Sequence, residues 1–197
     1  MKNQVLLGTM LGDAYISKLY GRAKSYSVRW EHSIEQEDYA EWKAKKALKN
    51  FSKSLRSRLD KRTKKIYHSV VFYSIKDDYK KYRELFYKDK KIVTEALLLK
   101  LKPLAIAVWF MDDGNLYYNG NICHLTLSVN GFDEESKGRI IDYFKKTYDI
   151  NFKRSQNAIR LTSIKEVKKF ESIFKKYYHN TMMHKTLEYQ KLKYKKT

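Results

Sequence analysis

Two stretches of the chain are apolar at almost every position, and each ends in aspartate: Val5–Asp13 and Leu104–Asp113. Both read as helical runs. Segments with strand-like alternation follow them. In the first, Tyr26, Val28, Trp30 and His32 fall on one face and Ser27, Arg29, Glu31 and Ser33 on the other. In the second, Cys123, Leu125, Leu127 and Val129 alternate with His124, Thr126, Ser128 and Asn130. An amphipathic polar helix comes next in each half, Glu35–Phe51 and Asp133–Tyr148. The second opens on Asp133-Glu134-Glu135, acids that suit a helix N-terminus. Basic strand-like segments then appear, Lys53–Asp60 with Ile66–Ser74 and Asn151–Ser155 with Ala158–Ser163.

The order of parts is thus given twice, and local matches support a duplication. Ser74-Ile75-Lys76-Asp77 parallels Ser163-Ile164-Lys165-Glu166, and the run from Lys80 to Phe86 parallels that from Lys168 to Phe174. Each half is predicted to be α-β-β-α-β-β-α with an antiparallel four-stranded sheet, an α+β fold in two pseudo-symmetric halves. The boundary falls near residues 92–102, giving halves 1–98 and 99–197.

Charge narrows the function. The 42 Lys and Arg outnumber 22 Asp and Glu, a formal net charge of +20. Self-repulsion on that scale points to a polyanionic partner, nucleic acid before an acidic membrane. The excess is shared between halves: residues 1–100 hold 24 basic and 12 acidic side chains, residues 101–197 hold 18 and 10. Both halves are therefore expected to touch one duplex. Cys123 is the only cysteine, which excludes an internal disulfide and a cysteine zinc cluster and suits a reducing intracellular compartment. No apolar run is long enough to span a bilayer, and the first is a poor signal peptide.

In such a basic chain the acids at the ends of the apolar runs need explaining. A carboxylate at a helix C-terminus faces the negative end of the helix dipole, at a cost of about 0.3–1 kcal/mol. For one aspartate alone, a turn is the simpler account, and Asp113-Gly114 is a good turn signal. Two of them, at matching places in a repeat, suggest a cation held against phosphate. Carboxylate oxygens with retained waters are what Mg²⁺ prefers. Gly8 and Gly12 share one face of the first helix, so another backbone can come close there. Two such helices side by side would bring their terminal acids together.

The stretches Leu6-Leu7-Gly8-Thr9-Met10-Leu11-Gly12-Asp13-Ala14 and Ile106-Ala107-Val108-Trp109-Phe110-Met111-Asp112-Asp113-Gly114 resemble the two motifs of the LAGLIDADG homing endonucleases, in particular the monomeric, two-motif branch encoded in mobile introns. The resemblance implies a saddle with the motif helices at the interface and the sheets in the major groove. It implies catalytic, metal-binding acids at Asp13 and Asp113, with Asp112 the competing assignment in the second motif. Gly12 and Asp112, at the preceding motif position, complete the metal-site candidates. Ala14 stands where glycine is usual, and Val108 where a small residue is usual. A basic residue is implied near each metal site. In the second half Asn180-Thr181-Met182-Met183-His184-Lys185 resembles that region and Lys185 is the match. In the first half Lys90 and Lys91 compete, and ungapped counting back from Asp113 favours Lys90.

The implied reaction is Mg²⁺-dependent hydrolysis of one phosphodiester per strand, with two or more ions and Mn²⁺ as a substitute, leaving short 3′ overhangs. The implied partner is double-stranded DNA with a long asymmetric target, bound by one chain acting alone. A sheet face in the major groove can read base edges. The groove-facing candidates are Ser27, Arg29, Glu31, Ser33, Arg56 and Arg58 in the first half, and His124, Thr126, Ser128, Asn130, Lys153, Ser155, Arg160 and Thr162 in the second. Lys61 and Arg62 belong to a basic stretch, 53–65, expected to end in a phosphate-binding hairpin tip. The histidines show no spacing for a zinc or HNH-type site. Two rivals share the fold: an RNA-binding maturase acting on intron RNA, and a non-catalytic DNA-binding regulator. Retention of both acids favours cleavage. An intein is disfavoured, with the first motif close behind Met1 and no visible splicing segments.

Overall fold

The computed structural model describes residues 3–19, 21–76 and 78–195. The first half contains α1 (Gln4–Leu11), β1 (Tyr15–Ile16), β2 (Tyr26–Ser33), α2 (Glu37–Ala47), β3 (Ser52–Leu59), β4 (Ile66–Lys76) and α3 (Tyr79–Phe86). A short α4 (Glu95–Leu98) leads to the second half: α5 (Pro103–Asp113), β5 (Gly114–Tyr118), β6 (Cys123–Ser128), α6 (Glu134–Tyr148), β7 (Lys153–Arg154), β8 (Ala158–Leu161), α7 (Ile164–Phe174) and α8 (Leu187–Tyr194). The sheets are antiparallel with matching strand orders, β1-β2-β4-β3 and β5-β6-β8-β7. The α+β architecture in two pseudo-symmetric halves is therefore as the repeat predicts.

Local chemistry sets the ends of these elements. The Asn3 side chain accepts from Leu6 N at 3.0 Å and starts α1. Pro103, with no N–H to satisfy, starts α5. Asp133 caps α6 through Ser136 N at 2.7 Å. Between β3 and β4 the Asp60 carboxylate accepts from the N–H groups of Arg62 and Thr63, and Lys64 takes the left-handed conformation that closes the hairpin, φ 57°.

Helices α1 and α5 are buried along almost their whole length and pack against each other at the centre of one continuous core. Each sheet lays its apolar face on that core: Val28 and Trp30 with Val70 and Phe72 in one half, Leu125 and Leu127 with Ile159 and Leu161 in the other. Residues 91–98 lean across the seam. Lys91 bridges to Phe132, Val93 N donates to Ser136 Oγ at 2.8 Å, and α4 packs on α6.

Some boundaries differ from the pattern. Helix α1 stops at Leu11, so Asp13 lies two residues beyond it. The first amphipathic helix is shorter than Glu35–Phe51. A 3₁₀ turn at Ile34–Gln36 precedes it and extended backbone at Leu48 ends it at Ala47. Of the segment Asn151–Ser155, only Lys153–Arg154 is strand. Among the described residues no helix is long and apolar enough to cross a membrane.

Candidate active site

The site begins with how closely α1 and α5 approach. A Cβ at Gly8 would fall 2.7 Å from Val108 Cβ and collide with the Ala105 carbonyl. A Cβ at Gly12 would lie 2.5 Å from Asp112 Cβ. Val108 does not hold the helices apart, because the glycine opposite absorbs its bulk. The acid-bearing ends of both helices are consequently brought together.

Asp112 and Asp113 have different surroundings. The Asp112 side chain is fully buried and faces α2: Oδ1 accepts from Lys43 Nζ at 2.7 Å and from Tyr39 Oη at 2.8 Å, while Oδ2 lies 3.4 Å from Asp13 N. The Asp112 carboxylate is held in an ion pair inside the protein, and one of its oxygens also lies with Asp13 and His32 in a group whose ligand atoms fall within 4.8 Å of one another. Asp13 Oδ2 lies 3.2 Å from His32 Nε2 and 3.9 Å from Lys43 Nζ, with the Asp13 side chain about one-third exposed.

Two lysines flank the acids in corresponding ways. Lys91 Nζ donates to Gly12 O at 3.3 Å and Ala14 O at 3.2 Å, where α1 ends. Lys185 Nζ donates to Met111 O at 2.5 Å and Asp112 O at 3.3 Å, where α5 ends. Each cation satisfies carbonyls left over at a helix C-terminus and opposes the negative end of its dipole. The first-half expectation needs correcting. Lys90 is exposed, and it is Lys91 that reaches the site, since its bridges to Tyr87 and Phe132 turn it inward. Gly12 and Asp112 thus both meet lysine through their backbone carbonyls.

Burial dominates the electrostatics. It pushes the Asp13 carboxyl up to about 6, with the Asp112 charge adding to the rise and Lys43, Lys185 and Lys91 opposing it. Asp113 is pushed up to about 7 by burial, then by Asp13 and Asp112. Lys91 is brought down to about 8 by burial despite the three carboxylates around it, and burial lowers Lys185 as well. His32 falls to about 4 through burial and the nearby Lys43, so its imidazole is neutral at pH 7. Two carboxylates raised by desolvation, with Asp112 adding to both and Asp13 adding to Asp113, form a site that a divalent cation would relieve. Their oxygens, together with the buried and unbonded His32 Nε2 pointing towards Asp13, fit such an ion.

Asp13 and Asp113 lead directly into β1 and β5, the first strands of the two sheets. Ser27, Arg29, Glu31 and Ser33 occupy the outer face of β2. Their pairing through β4 sets Arg56 and Arg58 on that same face. Glu31 accepts from Ser69 Oγ at 2.5 Å and lies 3.7 Å from Arg29 and 3.6 Å from Arg56. In the other sheet Thr126 faces Arg160, which faces Lys153. His124, Ser128 and Asn130 continue that face, with His124 stacked on Tyr117. Ser155 and Thr162 flank β8, and Lys61 and Arg62 sit at the exposed hairpin tip. Lys53 is the exception in the basic stretch: it points to the opposite face and pairs with Glu37.

Three residues of the site were not singled out by sequence: Lys43, Tyr39 and His32. His32 carried a signal, being polar on the otherwise apolar face of β2. Lys43 carried less, lying near Lys45, Lys46 and Lys49, although it falls three and four residues from the buried Ala40 and Tyr39.

Known structures share this fold. The computed structure is similar to the homing endonuclease I-WcaI bound to its DNA recognition sequence, with TM-score 0.82 and 23% identity over 94% of this chain and 85% of that one. It is also similar to the LAGLIDADG meganuclease I-AabMI bound to uncleaved DNA, with TM-score 0.63 and 10% identity over 100% and 92% of the two chains. In sequence it is 27% identical to protein RecA of Mycolicibacterium flavescens over 199 residues, covering 93% of this chain and 46% of that protein. Protein RecA of Mycobacterium leprae (strain TN) is 24% identical, with 27% of its length covered. The chain therefore spans less than half the length of these curated relatives. A family model described as the LAGLIDADG DNA endonuclease family matches residues 3–170. That match runs through both motif helices and both sheets, and on it the chain belongs to the LAGLIDADG DNA endonuclease family.

Proposed function

We propose that the chain is a site-specific endonuclease for double-stranded DNA that hydrolyses one phosphodiester on each strand with Mg²⁺ and leaves short 3′ overhangs, promoting mobility of the element that encodes it. One observation carries this reading: the packed helices α1 and α5 lead into Asp13 and Asp113, near enough for the Asp13 charge to raise Asp113, in a chain whose two sheets present arginine and lysine on their outer faces. Each acid can serve one strand while the sheets hold the duplex in register on both sides.

Asp13 and Asp113 are the residues that would hold the metal, and bound there it supplies Lewis-acid catalysis of phosphodiester hydrolysis. Lys91 and Lys185 place positive charge beside the acids, where negative charge builds on the phosphate in the transition state. Arg29, Arg56 and Arg160 have the fork geometry for guanine in the major groove. Two motif halves in one chain support action as a monomer, and the buried, unpaired Cys123 suits a reducing compartment. In the RecA relatives the matching region makes up less than half of the protein. This supports a carrier in which the endonuclease lies within a host gene.

The test is incubation of the protein with an allele that lacks the element, with Mg²⁺ and then with EDTA. Mg²⁺-dependent double-strand cutting, lost in Asp13→Asn and Asp113→Asn while DNA binding persists, is the expected result. RNA binding without any cleavage would replace this reading with the maturase.

A further inference from the structure

The two halves of the site are not chemically equal. Pairing of Tyr15 with Arg29 in β1–β2 corresponds to pairing of Asn115 with Thr126 in β5–β6, which sets the register between the repeats. In that register, which the starts of α2 and α6 share, His32 corresponds to Val129, Tyr39 to Ser136 and Lys43 to Ile140. Beside Asp13 there is thus an imidazole, and the matching position in the other half holds an isopropyl group.

The imidazole meets the Tyr39 ring edge-on, with centroids 5.5 Å apart, and this packing leaves its Nε2 free. Its Nδ1 lies 2.9 Å from Gln36 Oε1, and with that oxygen as acceptor the tautomer is the one with the proton on Nδ1 and the lone pair on Nε2. The His32 side chain is only 3% exposed, and Nε2 makes no hydrogen bond among the described residues. It points at Asp13 Oδ2 from 3.2 Å, out of line for a hydrogen bond. A buried lone pair turned towards a carboxylate oxygen is repulsive unless something positive lies between them. Lys43 does not fill that role, because its ammonium is bound to Asp112 at 2.7 Å. The spacing also fits an ion: adjacent ligands, each about 2.0–2.1 Å from an octahedral metal, lie about 3 Å apart.

We propose that His32 is a nitrogen ligand of the divalent ion held by Asp13, making the first half of the site a mixed oxygen–nitrogen centre and leaving the Asp113 half all oxygen. This rests on the metal-dependent reading given above. An imidazole nitrogen favours Mn²⁺, Co²⁺ and later ions over Mg²⁺ more than a carboxylate oxygen does, so the Asp13 half discriminates among metals more strongly than the Asp113 half. Gln36 then acts from behind, fixing the tautomer and the ring orientation.

The probe is Mn²⁺ added to the full chain, read by calorimetric titration and by pulsed electron paramagnetic resonance for nitrogen coupled to the manganese. The expected result is one nitrogen coupling that changes when the protein is made with histidine carrying the heavy nitrogen isotope, and that disappears in Asp13→Asn but not in Asp113→Asn. His32→Val, which copies the other half, should weaken Mn²⁺ binding about tenfold or more and Mg²⁺ binding by less. The isotope experiment uses the unmutated chain and does not depend on that variant folding. Mn²⁺ binding that requires Asp13 but shows no histidine nitrogen would overturn the role of His32 while leaving the metal site standing. Absence of any Asp13-dependent Mn²⁺ binding would overturn both.

Discussion

Replacing Lys43 with methionine would remove the charge that neutralises Asp112 while keeping much of the side-chain volume. The ammonium and the carboxylate are both fully buried and 2.7 Å apart. At an effective dielectric constant of about 20, two unit charges at that separation attract by about 6 kcal/mol. Desolvation of the ammonium offsets part of this, and removal of one partner from such a pair costs about 3–5 kcal/mol overall. Asp112 would keep only the hydroxyl of Tyr39 and the distant N–H of Asp13. Against the roughly 5–15 kcal/mol of a typical domain, the loss is large. It is measured by urea unfolding with linear extrapolation. Asp112→Ala should cost a comparable amount by stranding Lys43. The double variant should cost clearly less than the two single losses added together, with a coupling of about 2–3 kcal/mol. High salt should barely change the result, because neither charge reaches solvent. A Lys43→Met protein within about 1 kcal/mol of wild type, or single losses that simply add, would refute the argument.

The raised carboxyl groups make metal-free stability depend on pH. Asp13 and Asp113 sit near 6 and 7 against an ordinary 3.8, so the native protein holds protons that the unfolded chain has lost. Their contribution is complete below about pH 4 and fades as pH rises through 6 and 7. In EDTA the double variant Asp13→Asn, Asp113→Asn should therefore exceed wild type in melting temperature at pH 8, with the gap closing towards pH 5; a constant gap would contradict the shifts. Lys91→Met should lower single-turnover cleavage about a hundredfold, while Lys90→Met leaves it within about twofold. Equal effects at both positions would remove the distinction between them. Gly8→Ala should destabilise by about 1–3 kcal/mol in thermal unfolding, although alanine is the better helix former, because the added methyl group meets the α5 backbone. Arg160→Ala should relax sequence preference at one position of the target by about 1–3 kcal/mol, read from binding to a panel of single-base variants; a uniform loss across the panel would instead mark a phosphate contact.

The helices that carry the acids were legible because their apolar runs are long and are given twice. Strand β2 and its faces were legible because side chains alternate cleanly along it. Strands β1 and β7, of two residues each, are too short for a period to show, and β5 was missed although it lies directly after Asp113. Lys91 and Lys90 are neighbours of the same type, and only the turn after α3 decides which one points inward. Lys43 looks like any solvated lysine until α2 is laid against the end of α5. What escaped the sequence reading is what depends on contacts between the halves, where no local pattern records the partner.

The closeness of Gly12 to Asp112 bears on the ancestry of the chain. At that crossing there is space for one side chain, so a duplicated pair of glycines could change on one side only. Once the acid stood at position 112 it depended on Lys43 from the opposite repeat, and Ile140, the residue in the matching place, offers no such charge. A pair built from two copies of the second half would set Asp112 against Asp112 with no cation between them. A pair built from two copies of the first would leave each buried lysine without the close acid of position 112, facing only the more distant Asp13. The exchange works as a ratchet: it ties each repeat to an unlike partner and closes the route back to a symmetric dimer.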